Sequence, residues 1–383
     1  MPNQPKRLSR RAFLSAAGVA AAALALPDLL KRARADSTAP AVPPDPSRPS
    51  EAEWEFIQPR PARLDLWGRI TWPGYPIRAE TGLDKPVVDY LYEGTVLPLL
   101  EIVHDVGSNP NNDTWYRIAN GFLYTSGVQV IRPYRTPEIV TTIDTTIGGE
   151  PGFWAEVIVP VTTVHSRPSG GVVLDEDRQV FHHYGSVHRV IGIEQDADGN
   201  IWYKVFDDKP KRPPVYVVAR HMRRLTEADF APISPGAEKR MVVNLQRQRI
   251  DCYENGQLVF STLTSSGAGG WATPAGEHAV VYKQPSRHMY SGSDDPVSGG
   301  DAEDDFFDLP GVPFNTFFTT LGHAIHGTWW HGDYGRPRSH GCLNVTPEAA
   351  HWIYRWVEPF AAYDQDAAGS SRDPGTPIIV VQS

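Results

Sequence analysis

The sequence is short of cysteine, of methionine, of long apolar runs and of clustered positive charge, and each shortage removes a class of protein. Two cysteines in 383 residues, Cys252 and Cys342, are too few for the multi-pair disulfide framework of a small secreted scaffold. Beyond the N-terminal region, no stretch approaches the roughly 18 apolar residues that a membrane-spanning helix needs. The net charge is −9, and an acidic chain without a basic run is a poor nucleic-acid binder. Four methionines stand against 33 Gly, 35 Pro, 11 Trp and 15 Tyr, a balance that favours short strands and turns over long helices.

The N-terminus has features of its own. Lys6, Arg7, Arg10 and Arg11 precede an Ala-rich stretch from Ala12 to about Leu30, and Ala33-Arg34-Ala35 fits a small-x-small cleavage site. The run Ser9-Arg10-Arg11-Ala12-Phe13-Leu14 resembles a twin-arginine export signal. Pro27 and Asp28 argue against a stable span. Residues 1–35 are therefore expected to be a signal peptide, leaving a mature chain without a membrane span in the periplasm or cell wall. Removing seven Lys/Arg and one Asp takes the charge from −9 to about −15. Residues 36–62 hold seven prolines among Ser, Asp and Glu, which reads as an extended linker.

Residues 63–231 contain an internal repeat. Trp67 and Trp154 lie 87 residues apart, and so do Trp115-Tyr116-Arg117-Ile118 and Trp202-Tyr203-Lys204-Val205, Pro73 and Pro160, and Ile77 and Val164. Each unit also has a Gly-led apolar strand, at Gly94–Leu99 and Gly185–Val190. A shared offset across several features marks a duplicated module, with units at 63–146 and 147–231. Five or six short strands in each suggest a small barrel. The pattern resembles the bacterial Src-homology-type β-barrels that accompany wall enzymes. Two readings stay open for these modules: a spacer, or a surface that binds glycan strands.

The last domain is expected at 238–382, as a mainly β sandwich or barrel with one or two helices. Asn255-Gly256 between two apolar runs signals a hairpin. Glu277–Tyr282 reads as one strand. Thr346, Pro347 and Glu348 mark a helix start, with Ala349, Ile353 and Trp356 recurring on one face. Ser291–Gly311 is rich in Gly, Ser and Asp. It suits a solvated lid; attraction of an acceptor amine, or a calcium site, is the sharper alternative.

Chemistry concentrates in Ile325-His326-Gly327-Thr328, a Trp/Gly-rich loop, and Ser339-His340-Gly341-Cys342-Leu343-Asn344. A thiol is a weak nucleophile until deprotonated. His326 on a neighbouring strand can take the proton of Cys342 and hold the thiolate as an ion pair. The turn before the Thr346-capped helix can offer backbone N–H groups to an oxyanion. Cys252 reads as a small strand residue and Cys342 as a free thiol. Zinc ligation by His323, His326, His331, His340 and Cys342 fits poorly, because spacings of three and five are not those of the common zinc motifs.

This segment resembles the L,D-transpeptidase (YkuD-like) family, whose signature is His-Gly followed at a set distance by Ser-His-Gly-Cys, an aliphatic residue, and Asn or Arg. The resemblance extends to Ser265-Ser266-Gly267 and Thr273-Pro274-Ala275-Gly276. It implies that Cys342 is the nucleophile and His326 the base, oriented by the Gly327 carbonyl, with His340 supporting the site. It further implies that Ser339, Gly341 and Asn344 hold the turn and the substrate or oxyanion. By the same resemblance Met289, Tyr290 and the Phe314–Phe318 segment lie along the lid and substrate channel. Trp329 belongs to an aromatic cluster that either shapes the acyl site or packs over the loop. The implied partners are peptidoglycan stem peptides. The implied reaction is acyl transfer from a tetrapeptide stem to an amine or to water, by a monomer, with no metal or organic cofactor.

Overall fold

The computed structural model describes residues 66–105, 107–132, 136–175, 178–291 and 307–382. The expected signal and linker, and the core of the acidic loop at 292–306, lie outside the described residues. The described residues fall within one unit of contacts.

The chain is mainly β, and residues 67–224 use one pairing scheme twice. Trp67–Ile70 lies between Val96–Pro98 and Val128–Ile131, antiparallel to both. Phe153–Val157, which carries Trp154, lies in the same way between Val187–Gln195 and Met222–Arg224. Thr114–Ile118, with Trp115, pairs with Glu101–His104 and Gly121–Tyr124. Ile201–Phe206, with Trp202, pairs with Val187–Gln195 and Val215–Val218. One difference is the strand that links the two sets of pairings, which lie in separate sheets in the first module and in one sheet in the second. In the first module it breaks after Pro98, where Leu99 N–H bonds Leu66 in one sheet and Leu100 N–H bonds Arg117 in the other. In the second it runs unbroken through a bulge between Val190 and Gly192, which bends one strand enough to serve both partners.

The buried apolar residues follow this division. Ile70, Tyr75, Ile77, Leu99, Tyr116, Ile118, Leu123 and Val128 form a small core within the first module. The second module has no separate main core. Phe153, Val190, Tyr203 and Val217 belong to the same cluster as Met241, Ile325, Leu343 and Ile353 of the last domain.

In that last domain, Gln257–Leu263, Arg249–Glu254, Lys239–Asn244, Pro377–Val381 and Gly276–Ala279 form a five-stranded sheet. Asn255 (φ +49°) and Gly256 (φ +81°) make the expected hairpin turn, both in the left-handed region that this two-residue loop demands. The second sheet runs Tyr282–Tyr290, Asp308–Phe317, Ala324–Gly327, Leu343–Val345, with the last two strands parallel. Glu277–Tyr282 is not one strand. Val280 N–H bonds Thr376 in the first sheet and Val281 N–H bonds Phe317 in the second, so the chain changes sheets there. The helix Pro347–Trp356 starts where expected. Thr346 Oγ1 accepts the Ala349 N–H at 3.2 Å, and Ala349, Ala350, Ile353, Tyr354 and Trp356 are buried.

Candidate active site

The parallel pair joins the strand of His326 to the strand that begins one residue after Cys342. Ile325 stands opposite Leu343, His326 opposite Asn344, and Gly327 opposite Val345. Side chains alternate along a strand, so Cys342 and Asn344 share a face with His326. Strands about 4.8 Å apart with a rise of about 3.3 Å per residue put the Cys342 and His326 backbones roughly 8 Å apart on the diagonal, a span that a thiol and an imidazole can bridge. His326 is buried and its Nδ1–H donates to the Gly327 carbonyl at 3.2 Å. That bond fixes the tautomer and leaves Nε2 as the acceptor.

Both cysteines are free, with Cys252 buried inside its strand. The resting state at Cys342 differs from the expected ion pair. The Cys342 Sγ–H points to the Gly322 carbonyl at 3.9 Å. Burial pushes the thiol up to about 11, only partly offset by the Ala324 N–H. Burial pushes His326 down to about 4, against the Gly327 hydrogen bond. Both shifts favour the neutral forms of the thiol and the imidazole, because burial disfavours either charge.

The turn before Cys342 is held on every side. Ser339 Oγ donates to the Cys342 carbonyl at 2.5 Å and accepts the Gly341 N–H at 3.1 Å. Gly341 has φ +105°, and a Cβ there would stand 2.7 Å from His323; both facts require glycine. Thr273 Oγ1 donates to the Gly341 carbonyl at 2.9 Å and accepts the Gly267 N–H. Ser339 N–H bonds the Ser266 carbonyl at 3.0 Å. The two upstream segments singled out in the sequence are thus the braces of this turn. His340 is exposed and lies between the rings of Trp271 (5.4 Å) and Phe307 (5.1 Å). His323 lies just before the Ala324–Gly327 strand, with Nδ1 2.9 Å from Thr319 Oγ1.

The Trp/Gly loop is gripped by the first β-module, which sequence reasoning did not connect to the site. Arg69 Nη2 donates to the Trp329 carbonyl. Gly332 N–H bonds the Ser126 carbonyl at 2.9 Å, and Asn112 Nδ2 donates to the Tyr334 carbonyl at 2.7 Å. Trp329 is a brace between elements: its ring stacks on His183 of the second module at 4.2 Å. Its neighbour Trp330 lies 5.9 Å from His326. His331, deep in the loop, accepts the Asp333 N–H at Nδ1 (3.1 Å), and its Nε2 is 2.9 Å from the Asn344 carboxamide. The other end of that carboxamide has no hydrogen-bond partner among the described residues.

Met289 and Tyr290 end the strand that leads into the acidic loop and pair with Leu309 and Asp308. Tyr290 is buried; Lys209 Nζ lies 5.1 Å over its ring, and His288 lies 5.9 Å away edge-on. The ring therefore packs against the second module and the stem of the loop. At that stem His288 bonds Asp207 at 2.6 Å and Asp308 at 2.8 Å, and Asp308 also pairs with Lys209 and Arg212.

No curated protein matches the chain. Among solved structures it is similar to an L,D-transpeptidase from Xylanimonas cellulosilytica (20% identity, 39% of this chain and 63% of that one, TM-score 0.26). It is also similar to L,D-transpeptidase 3 from Mycobacterium tuberculosis with a faropenem-derived adduct (21%, 50% and 77%, 0.30), and to the catalytic domain of the E. faecium L,D-transpeptidase (21%, 39% and 100%, 0.28). The chain spans 49%, 63% and 59% of the lengths of three of the solved structures that it matches. The family model for the L,D-transpeptidase catalytic domain, YkuD, matches residues 238–380. Residues 238–380, which carry both His326 and Cys342, are the part of the chain that belongs to the YkuD family, as an L,D-transpeptidase catalytic domain.

Proposed function

We propose that this protein is a peptidoglycan L,D-transpeptidase that works by acyl transfer through Cys342. His326 Nε2 takes the thiol proton as sulfur attacks the carbonyl after the third residue of a tetrapeptide stem. The C–N bond to the terminal D-Ala breaks, and the proton passes to the leaving amine. An amine of a second stem then attacks the thioester, loses its proton to His326 and releases the thiol as a cross-link forms. Water in place of the amine gives L,D-carboxypeptidase activity. The carrying observation is the parallel register of His326 and Asn344, with His326 Nδ1 spent on Gly327 and Nε2 left as the base.

Since burial favours the neutral form of both groups, the proton moves as substrate arrives rather than beforehand. Ser339 and Gly341 shape the turn whose N–H groups receive the oxyanion, with His340 beside them. Met289, Tyr290 and Trp329 act around the channel rather than on the reacting atoms. We assign residues 1–35 to an export signal, 36–62 to a linker, 63–146 and 147–231 to the two β-modules, and 238–382 to the catalytic domain. This architecture acts as a monomer on stem peptides outside the cytoplasm, and its modules brace the site whether or not they also bind glycan. Among the described residues no helix is long and apolar enough to cross a membrane.

The test is intact mass after incubation with a carbapenem, and product masses after incubation with isolated muropeptides. A covalent adduct and a cross-linked dimer are expected from the wild type, and neither from Cys342→Ala. An adduct that survives C342A would remove Cys342 from the mechanism.

A further inference from the structure

We propose that Asn315 is a positioning residue for the base: its side-chain oxygen faces His326 and stabilises the imidazolium that forms when the Cys342 proton passes from Sγ to His326 Nε2. The proposal rests on the reading of His326 as the base. The family resemblance puts the Phe314–Phe318 segment along the channel and gives Asn315 no part at the base.

Two backbone carbonyls fix which end of the Asn315 carboxamide is which. A carbonyl only accepts, so the group that reaches the Val312 carbonyl at 2.7 Å and the Gln284 carbonyl at 3.5 Å is the NH₂. The other end is the oxygen, and it has no hydrogen-bond partner among the described residues. Asn315 is 0% exposed, so water does not repay that oxygen. A buried acceptor left unpaired is costly, and such an orphan calls for an explanation.

The strand register aims the oxygen. Asp308–Phe317 and Ala324–Gly327 are antiparallel, with Thr316 opposite Ile325 and Phe317 opposite Ala324. Continued by one residue, the same register puts Asn315 opposite His326. Side chains alternate along a strand, and the neighbours of Asn315 show which face it takes. The Phe314 ring lies 4.3 Å from His351 of the helix, and Ile325, opposite Thr316, belongs to the core. Asn315 therefore projects on the other face, the one that carries His326. Directly opposite residues hold their Cβ atoms about 4.5–5.5 Å apart, within reach of a carboxamide and an imidazole. The NH₂ turns to Gln284 on the strand beyond, so the oxygen leans to the His326 side.

His326 lacks an anion to pair with. Burial lowers it, and only the Gly327 hydrogen bond opposes burial. The other titratable or charged groups around the pair are His323, His331, Asp333 and Arg338, with Glu348 and His351 on the helix behind the sheet. Burial lowers all three of these histidines and raises Glu348, and Asp333 is turned to Arg338 at 3.5 Å. None of them offsets burial at His326. The imidazolium is then served by neutral acceptors alone: the Gly327 carbonyl at Nδ1, and the Asn315 oxygen from the facing strand. An acceptor already in place when charge appears costs no reorganisation at that moment.

Two measurements on the full chain test this, in the wild type, Asn315→Leu and Asn315→Asp. The first is the titration of His326, followed by its ring NMR signals. Leucine keeps the size and loses the oxygen, so N315L should take up the His326 proton at lower pH than the wild type. Aspartate keeps an acceptor in either protonation state, so N315D should take it up at higher pH. The second is alkylation of Cys342 by iodoacetamide, read by peptide mass. N315L should react about tenfold more slowly near pH 7. That deficit should shrink as pH rises toward about 11, where the thiol ionises without help from His326. Identical His326 titrations in the three proteins, or a deficit of the same size at pH 7 and pH 10.5, as a merely structural defect gives, overturns the proposal. If N315L does not fold, N315D decides: His326 raised supports the proposal, and His326 unmoved overturns it. A wild type that forms no carbapenem adduct sinks the enzyme reading instead, and the His326 titrations still judge Asn315.

Discussion

In the first β-module the hairpin from Thr114–Ile118 to Gly121–Tyr124 turns through Ala119 and Asn120 alone. In the second, the equivalent hairpin from Ile201–Phe206 to Val215–Val218 turns through residues 207–214. The longer turn carries Asp207, Asp208, Lys209 and Arg212 into the stem of the acidic loop, where they meet Arg287, His288 and Asp308. The first module touches the catalytic domain mainly through hydrogen bonds to backbone atoms of the loop that bears His331. The same pairing scheme has thus been put to two uses. Bonds to backbone groups fix a geometry, and the one charged donor among those named, Arg69, is lowered by burial only to about 10, far above neutral pH. A cluster of ions makes a contact that depends on protonation, as the shifted groups record.

The largest effect that would break this contrast is expected at His288. Burial alone would push its imidazolium down, but Asp207 and Asp308 outweigh burial and raise it above the ordinary value. The two carboxylates are held below theirs chiefly by His288, again against burial. Asp208, raised by burial in spite of Arg287, works the other way. His288→Leu strips two buried carboxylates of their shared cation and should cost about 3–5 kcal/mol near pH 6 in urea unfolding. The sign with pH is fixed. A raised histidine contributes fully below about 6.5 and loses its contribution as pH rises through its folded value. The difference between wild type and H288L should therefore shrink on the alkaline side. His182 and His188 are lowered chiefly by burial and further by His288, so removing His288 should also ease their protonation on the acid side. A pH-independent difference would show that the second module is held by packing alone.

What the sequence let through follows the same line between local and distant. The Asn255-Gly256 turn, the Thr346 cap and the His-Gly and Ser-His-Gly-Cys segments were legible because each is settled within a few neighbouring residues. The repeat was legible through Trp67/Trp154 and Trp115/Trp202, up to the point where the longer 207–214 turn breaks the spacing. His288 was invisible because its partners lie 81 residues upstream and 20 downstream. For the same reason Tyr290, read as a channel residue, gave no sign of packing under Lys209. Nothing in the pattern around Arg69, Asn112 or Ser126 says that they face a loop more than 200 residues away. The neutral thiol and imidazole were missed because local sequence does not report burial.

Two glycines sharpen the comparison at intermediate size. A Cβ at Gly311 would stand 2.2 Å from His188, on a backbone at φ +69°. Gly311→Ala should cost about 3 kcal/mol, from overpacking and left-handed strain together. A Cβ at Gly332 would stand 2.4 Å from the Val128 carbonyl oxygen and 2.5 Å from that of Thr125. Gly332→Ala should cost about 2 kcal/mol, yet it should slow carbapenem acylation more than G311A does, because it moves the neighbour of His331. The reverse ranking in acylation would mean that the second module, not the first, sets the geometry at Cys342.

The smallest expected effect is at Asn112, and it asks whether one hydrogen bond of the first module matters by itself. Asn112 is buried; its Nδ2 donates to the Tyr334 carbonyl, while its Oδ1 accepts the Thr114 N–H at 3.1 Å. Asn112→Ala leaves both partners short of one bond and should lower stability by about 1–2 kcal/mol. Neither partner is ionised, so the loss should be the same at pH 6 and pH 8, in contrast to H288L. Tyr334 is also anchored through its hydroxyl to Thr328 Oγ1 at 2.7 Å, so the loop keeps a second tether and acylation should fall only a few-fold. A loss that grows or shrinks with pH would mean that a titrating group hides in this contact, and the division of labour between the two modules would fail there.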